Sequence, residues 1–145
     1  ARALREKGIL TIAIVTKPFL FEGKRREKVA LESLERVKKE VDVLLVIPNQ
    51  RLLDVVDKNV SMINAFAMIN QVLTQSVRGI SDIITKPGHI NVDFADVRTI
   101  MKGRGMAVMG TAKASGQDRA RNAALDAISS PLLENMSVEG AHGVL

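Results

Sequence analysis

The sequence predicts an α/β fold built on parallel strands, and the order of three segments carries this prediction. Gly8–Thr16 and Asp42–Asn49 are continuous apolar runs rich in β-branched residues, which is typical of strands buried on both faces. Between them, Lys24–Val41 repeats its apolar residues at nearly helical spacing. A strand, a helix and a strand in this order predict a βαβ unit, so we expect parallel strands joined by a right-handed crossover.

The remaining segments add helices and weaker strand patterns. The long run from Val60 to Lys86 has no proline and is apolar over much of its circumference, which predicts a central helical strut between two packed bodies. The pair Pro87–Gly88 is the candidate domain boundary. The other predicted elements are helices over Arg51–Lys58, Asp93–Lys102 and Arg119–Leu133, a strand over Gly105–Ala114, and a strand that begins at Val138. Both ends of the sequence look cut, as in a piece of a longer chain.

Composition excludes several classes of protein. The 145 residues include no cysteine, so disulfides and thiolate metal sites are excluded, and His89 and His142 lack companions at ligand spacing. No apolar run reaches the ~20 residues of a membrane span, and no signal peptide opens the sequence. The net charge of +5 invites nucleic-acid binding, but tryptophan and tyrosine are absent and the four phenylalanines are not spaced as a stacking platform. We therefore expect a cytoplasmic protein that neither binds nucleic acid nor inserts into a membrane.

Two acids near the candidate boundary have a structural and a functional interpretation. Asp93 precedes a predicted helix and Asp96 falls in its first turn, where an acid caps free N–H groups and suits the helix dipole. In the functional interpretation both carboxylates are exposed and orient or deprotonate a water molecule. Their spacing alone does not decide between the two.

Two further pairs lie at i,i+4 spacing. Glu22 and Arg26 follow the first strand, where they could form a surface ion pair or, at the carboxyl end of a parallel strand, contact a ligand. Phe66 and Asn70 lie one turn apart on the long helix. Phe66 could pack in the core, or its ring could cover a purine whose edge Asn70 hydrogen-bonds.

The order of the motifs carries a resemblance. TKPF, FEGKRR, IPN, AFAMIN, INVDFADVRTIM, AVMG and AISSPLLE follow one another along the chain. In this order they resemble the FtsZ family of bacterial tubulin-like cell-division GTPases over essentially the whole length. NVDFADV is the most specific motif and resembles the family's synergy loop. The resemblance implies the C-terminal part of a Rossmann-like GTP-binding domain at residues 1–59, a central core helix at 60–87, and the synergy loop with the start of a second α/β activation domain at 88–145.

The resemblance also implies roles for single residues. Glu22 and Arg26 match the positions that contact the ribose and phosphate side of GTP. Phe66 matches the residue that stacks on guanine and Asn70 the residue that hydrogen-bonds it. The residues that match the loop completing the neighbouring subunit's active site are Asn91, Asp93 and Asp96, with Asp96 near a cation.

The function implied is that of a GTPase that polymerises head to tail into the division ring at mid-cell. Its implied ligands are GTP or GDP with Mg²⁺, and K⁺ as a second candidate ion. Its implied partners are further copies of itself, and membrane-tethering and division-regulating proteins that bind a C-terminal tail absent from this sequence.

Departures from the family pattern leave alternatives open. The glycine-rich phosphate-binding signature is absent from this sequence, so we expect the isolated 145-residue chain to be inactive. We also expect it to fold poorly, because a small parallel sheet without its upstream strands would leave an unpaired, apolar edge. One alternative is a tubulin-like scaffold that binds nucleotide or polymer ends without hydrolysing GTP. Another is an unrelated Rossmann-like enzyme whose catalytic residues lie elsewhere.

Overall fold

Three parallel strands form one sheet in the order β1-β2-β3. The computed structural model describes residues 1–54, 61–87, 92–130, 133 and 141–145. Strand β1 spans Ile12–Lys17, β2 spans Val43–Pro48 and β3 spans Gly105–Ala107. The register aligns Ile12 with Val43, and Val43 with Gly105. The predicted α/β fold with parallel β1 and β2 is therefore confirmed.

Six α-helices accompany the sheet among the described residues. They are α1 (Arg2–Glu6), α2 (Lys24–Lys38), α3 (Asn49–Asp54), α4 (Met62–Thr85), α5 (Phe94–Met101) and α6 (Arg119–Ile128), and a 3-10 turn covers Leu20–Glu22. Helix α2 connects β1 to β2, as the βαβ pattern predicts. Helix α4 has 24 residues and confirms the long helix.

The core lies around β2, the middle strand. Five of the six residues of β2 are buried, whereas every residue of β1 is only partly buried. Side chains of β2 pack against residues after β1 and on α3 and α4; the buried cluster consists of Phe19, Leu45, Ile47, Leu52, Ala65 and Ile69. This cluster ties the loop after β1 to the first half of α4.

Helix α4 buries one stripe among the described residues. The Ser61 side chain accepts a hydrogen bond of 3.3 Å from the backbone N–H of Asn64, which caps the first turn. Ala65, Ile69 and Ser76 are buried, while Ile63 is 81% exposed. The predicted role of α4 as a strut between two bodies, and the division into segments 1–59, 60–87 and 88–145, stay predictions.

Two predicted elements are shorter in the structure than the sequence predicts. The strand predicted over Gly105–Ala114 ends at Ala107, because the chain leaves the sheet there and Gly110 packs against the carbonyl of Ala127 in α6. Helix α6 ends at Ile128 rather than Leu133, as expected shortly before Pro131, which lacks a backbone N–H and disfavours helix in the residue before it. The end of the helix predicted over Arg51–Lys58 and the start of the strand predicted from Val138 lie outside the described residues.

Two glycines differ in the room around them. A Cβ built on Gly79, inside α4, would meet only the Met109 thioether, with its sulfur at 3.7 Å, which is ordinary contact. A Cβ on Gly110 would lie 1.9 Å from the carbonyl oxygen of Ala127. No close backbone approach therefore requires glycine at position 79, whereas one does at position 110.

We expect Gly79→Ala to raise the free energy of unfolding by about 0.5–1 kcal/mol, because alanine restricts the unfolded backbone and favours helix. Its matched counterpart, Gly110→Ala, should lower the free energy of unfolding by about 1–3 kcal/mol, because α6 must shift away. Urea denaturation followed by circular dichroism measures both values. Destabilisation by both substitutions to the same extent would show that the contact around Gly79 is tighter than the structure gives.

Candidate functional site

The candidate site lies at the carboxyl edge of the sheet, where β1 and β2 end. The chain leaves β1 through Pro18 and turns at Leu20–Glu22, while it leaves β2 directly into α3. The backbone N–H of Leu20 donates to Oε1 of Gln50, at 3.3 Å, and so joins the turn after β1 to the first turn of α3. Parallel α/β sheets bind ligands at this edge.

Three of the four phenylalanines meet at this edge. Phe19 is 2% exposed and stacks on Phe21, with ring centroids 4.7 Å apart. Phe66, from α4, meets both rings edge-on at centroid distances of 5.4 and 6.3 Å. The cluster brings together the loop after β1 and the first turns of α4. Sequence spacing did not reveal it, because Phe66 lies far from the other two along the chain.

The predicted pair Glu22–Arg26 is present and is anchored at both carboxylate oxygens. Oε1 of Glu22 accepts the backbone N–H of Phe19 at 2.8 Å, and Oε2 contacts Nη1 of Arg26 at 2.5 Å. The Glu22 side chain is only 10% exposed and that of Arg26 is 71% exposed. The turn into α2 depends on Gly23, whose φ of +93° suits glycine. Glu22 therefore holds the loop, and the Arg26 guanidinium is the part that an anionic ligand can reach.

Phe66 and Asn70 present one face of α4 to solvent. The Phe66 side chain is 41% exposed in spite of its contacts with Phe19 and Phe21. Asn70 is exposed, and within the described part of the chain its backbone carbonyl accepts from Thr74 while no hydrogen bond engages its side-chain amide. A ring and a free amide one turn apart are the groups needed to cover a planar base and bond its edge.

Asn49 is a site residue that the sequence interpretation missed. It begins α3 directly after β2 at the same edge, is 4% exposed, and its Oδ1 is buried without a hydrogen-bond partner among the described residues. Leaving a buried acceptor unpaired costs about 1–3 kcal/mol, so such a group calls for an explanation. The rule that pointed to Glu22, a polar residue just after a parallel strand, applies equally to Asn49.

Asp93 and Asp96 lie at the start of α5, but Asp93 does not cap it in the predicted way. Asp93 occupies the N-cap position without a side-chain cap bond. Its backbone carbonyl accepts the N–H groups of Asp96 at 3.0 Å and Val97 at 3.1 Å. The N–H that a capping carboxylate would bond is thereby satisfied by the main chain. Both acids are exposed, and Asn91 lies outside the described residues.

The acids and the aromatic cluster lie at opposite ends of the structure. Phe66 is near the start of α4, and the rest of α4 extends about 28 Å at 1.5 Å per residue to its end at Thr85. At the other end, the Arg98 guanidinium donates to the Gly8 carbonyl at 3.0 Å, which fixes α5 beside the residues that precede β1. The structure therefore brings Glu22, Arg26, Phe66 and Asn49 to one edge and places Asp93 and Asp96 at the other.

The described residues hold no group of three or more acids or histidines that could bind a metal ion. Across the same residues, no helix combines the length and apolar character needed to cross a membrane.

Comparisons with known proteins match both halves of the chain to one family. The GTPase domain of the Tubulin/FtsZ family matches residues 1–57, and the C-terminal domain of the FtsZ family matches residues 105–145. The cell division protein FtsZ of Coxiella burnetii is 56% identical over 145 residues, and that of Pseudomonas putida is 52% identical over the same length. The first match covers 100% of this chain and 38% of the relative, the second 100% and 36%. The chain thus spans little more than a third of the relatives' length.

Solved structures give the same result. An empty FtsZ dimer from M. jannaschii is 44% identical and superposes with a TM-score of 0.85 over 91% of this chain and 38% of its own. A point mutant of the same FtsZ gives a TM-score of 0.86, with 44% identity, over 92% of this chain and 40% of its own. The two family matches, the identities along the whole chain and the shared fold together show that this chain belongs to the Tubulin/FtsZ family.

Proposed function

We propose that the protein containing this chain binds and hydrolyses GTP and assembles head to tail into filaments of the bacterial division ring. Each active site is completed between adjacent subunits. One subunit provides the base-binding edge, and the next provides the acids at the start of α5. The protein acts in the cytoplasm, at mid-cell.

The observation that carries this proposal is a set of groups near Phe66 that are exposed or lack a hydrogen-bond partner among the described residues. Among the described residues, the Phe66 ring is partly exposed, the Asn70 amide is free and the Asn49 carbonyl oxygen is buried without a partner. Guanine offers a flat face for the ring, and donors and acceptors along its edge for an exposed amide such as that of Asn70. Arg26, beyond Glu22, supplies positive charge toward the ribose and phosphates.

The distance between the two ends supports the split site. A subunit cannot bring Asp93 or Asp96 to a base held at its own Phe66, because most of α4 separates them. In a head-to-tail filament the acid-bearing end of one copy faces the base-binding end of the next. Exposed carboxylates on a helical turn could then polarise the attacking water, with Asn91 beside them. Phosphoryl transfer depends mainly on such positioning and on charge stabilisation.

Mg²⁺ fits this scheme as an ion that enters with the nucleotide, because the described residues offer no metal site of their own. It neutralises phosphate charge, and Asp96 and a K⁺ ion are candidates for contacts beside the terminal phosphate. The isolated chain, without the glycine-rich phosphate loop, should not turn GTP over. Membrane tethers and division regulators bind the protein outside this chain.

We expect Phe66→Ala to weaken GTP binding by about tenfold, because base–aromatic stacking contributes about 1–3 kcal/mol. Phe94→Ala is the matched control: Phe94 is 46% exposed, and it lies next to Asp93, away from the base edge. Equilibrium binding of a fluorescent GTP analogue to the intact protein, at concentrations below assembly, measures both. Equal affinities of the two variants for GTP would show that Phe66 does not stack on the base.

We expect Asp96→Asn to retain GTP binding and to lose at least about a hundredfold in turnover, as for the loss of a group that activates water. Turnover by the unmodified protein should rise more steeply than linearly with its concentration. A GTPase assay combined with nucleotide binding on the same samples measures this.

A mixture of Asp96→Asn with Phe66→Ala separates the split site from a site within one subunit. At a GTP concentration that fills the intact pocket but few of the weakened Phe66→Ala pockets, interfaces that join an intact pocket to an intact acid make up about a quarter of a random one-to-one filament. About that fraction of activity should therefore return. If the mixture is no more active than its components although both assemble, the acid acts within its own subunit. Turnover by Asp96→Asn at the unmodified rate would instead favour the non-hydrolytic, structural interpretation of this carboxylate.

A further inference from the structure

A basic cleft lies at the amino edge of the sheet, opposite the candidate nucleotide site. It consists of two adjoining cavities of about 420 and 310 Å³ that share Arg5, Asp42 and Gly103 in their walls. Helices α1, α2 and α5 surround it, together with the residues that lead into the three strands. These volumes are in the range of small-molecule sites.

Cations outnumber acids in the walls of the cleft. Five basic side chains line it against two acids, and the cations are Arg5, Lys38, Lys39, Arg98 and Lys102. The acids are Glu35 and Asp42, and Oδ2 of Asp42 already accepts the backbone N–H of Thr11 at 2.9 Å. The cleft therefore carries a net positive charge.

Among the described residues, no carboxylate forms an ion pair with the cations of the cleft. The Arg5 guanidinium donates to the backbone carbonyl of Lys39, and that of Arg98 donates to the carbonyl of Gly8. Among the described residues no ion pair engages Lys38, Lys39 or Lys102. Two guanidiniums are thus fixed in place by the main chain, and three flexible ammonium groups are available beside them.

Glycine leaves the backbone of the cleft accessible. Gly8, Gly103 and Gly105 have φ values of +69°, +68° and +78°, and a Cβ on any of them would meet nothing within 4 Å. A ligand can therefore approach the main chain closely at these points. Arg5 and Asp42 are held in position, so most of the cleft exists before any ligand enters.

We propose that this cleft binds a small, multiply charged anion that carries phosphate groups. Guanidinium and ammonium groups grouped around an open backbone match phosphate oxygens in charge and in number of donors. The site goes beyond the proposed function, because it lies at the other edge of the sheet from Phe66 and needs no GTP. The cations of the cleft also account for part of the net charge of +5, which the proposed nucleotide site does not explain.

Inorganic pyrophosphate is the probe, and calorimetric titration into the intact protein saturated with GDP measures its binding at low and high salt. Saturation with GDP fills the proposed nucleotide site, so that the probe reports the cleft. We expect the double variant Lys39→Gln/Lys102→Gln to bind pyrophosphate about tenfold more weakly, and higher salt to weaken binding to the unmodified protein. Lys113→Gln, an exposed lysine that lines neither cavity, is the matched control and should bind as the unmodified protein does.

Equal weakening by Lys113→Gln and by the double variant would show nonspecific attraction to net charge and would overturn the proposal. Absence of pyrophosphate binding at millimolar concentration and low salt would also overturn it. The result does not depend on the nucleotide assignment: if GDP fails to bind, the same lysine dependence measured without GDP still decides whether the cleft binds the anion.

Discussion

The burial of Phe19 beneath α4 is the contact on which the proposed base-binding edge depends. Phe19 lies in the loop after β1 and is buried with Leu45 from β2 and Ala65 from α4, so three segments distant in sequence share one core. The stacking of Phe21 on Phe19 then sets the surface that Phe66 meets. The backbone N–H of Phe19 also donates to the Glu22 carboxylate, which positions Arg26. Loss of this burial would release the base-covering ring and the cation together.

The length of α4 imposes the second constraint. A straight helix of this length keeps its two ends apart, so groups at the base edge and groups after its C-terminus cannot act on one small ligand within a single copy. Each end is chemically incomplete: one has a ring, amides and a guanidinium, and the other has exposed acids. In the proposed head-to-tail filament, two copies in line would combine these sets without a change in either fold. GTP hydrolysis would then require assembly, because only two adjacent copies could bring both sets of groups to one ligand.

The helices and strands could be predicted from local sequence patterns, whereas the other features depend on tertiary contacts. Strands β1 and β2 and helices α2, α4 and α5 follow from apolar runs and periodicity, and the Glu22–Arg26 pair follows from helical spacing. The expected burial on both faces holds for β2 but not for β1, whose residues are all only partly buried. The phenylalanine cluster and the unpaired oxygen of Asn49 could not be predicted, because burial and pairing depend on residues distant in sequence. The early end of β3 has the same cause, since the close approach of Gly110 to α6 takes the chain out of the sheet. Asp93 shows a finer limit: its position at the N-cap was correct, but the main chain satisfies the N–H that its side chain was expected to bond.

Helix α5 shows why a structural and a functional interpretation of the same charges need not compete. Its acids, Asp93 and Asp96, lie at the N-terminus, and Arg98 and Lys102 lie toward the C-terminus. This order favours the helix dipole at both ends and would stabilise α5 in any protein. The same order presents free carboxylates in one direction and directs cations into the basic cleft. A sequence pattern that stabilises a helix therefore carries no information on function until the structure shows which charges are paired. In α5 the Arg98 guanidinium bonds a backbone carbonyl and the two acids bond no cation among the described residues, so charges that suit the helix remain available to ligands.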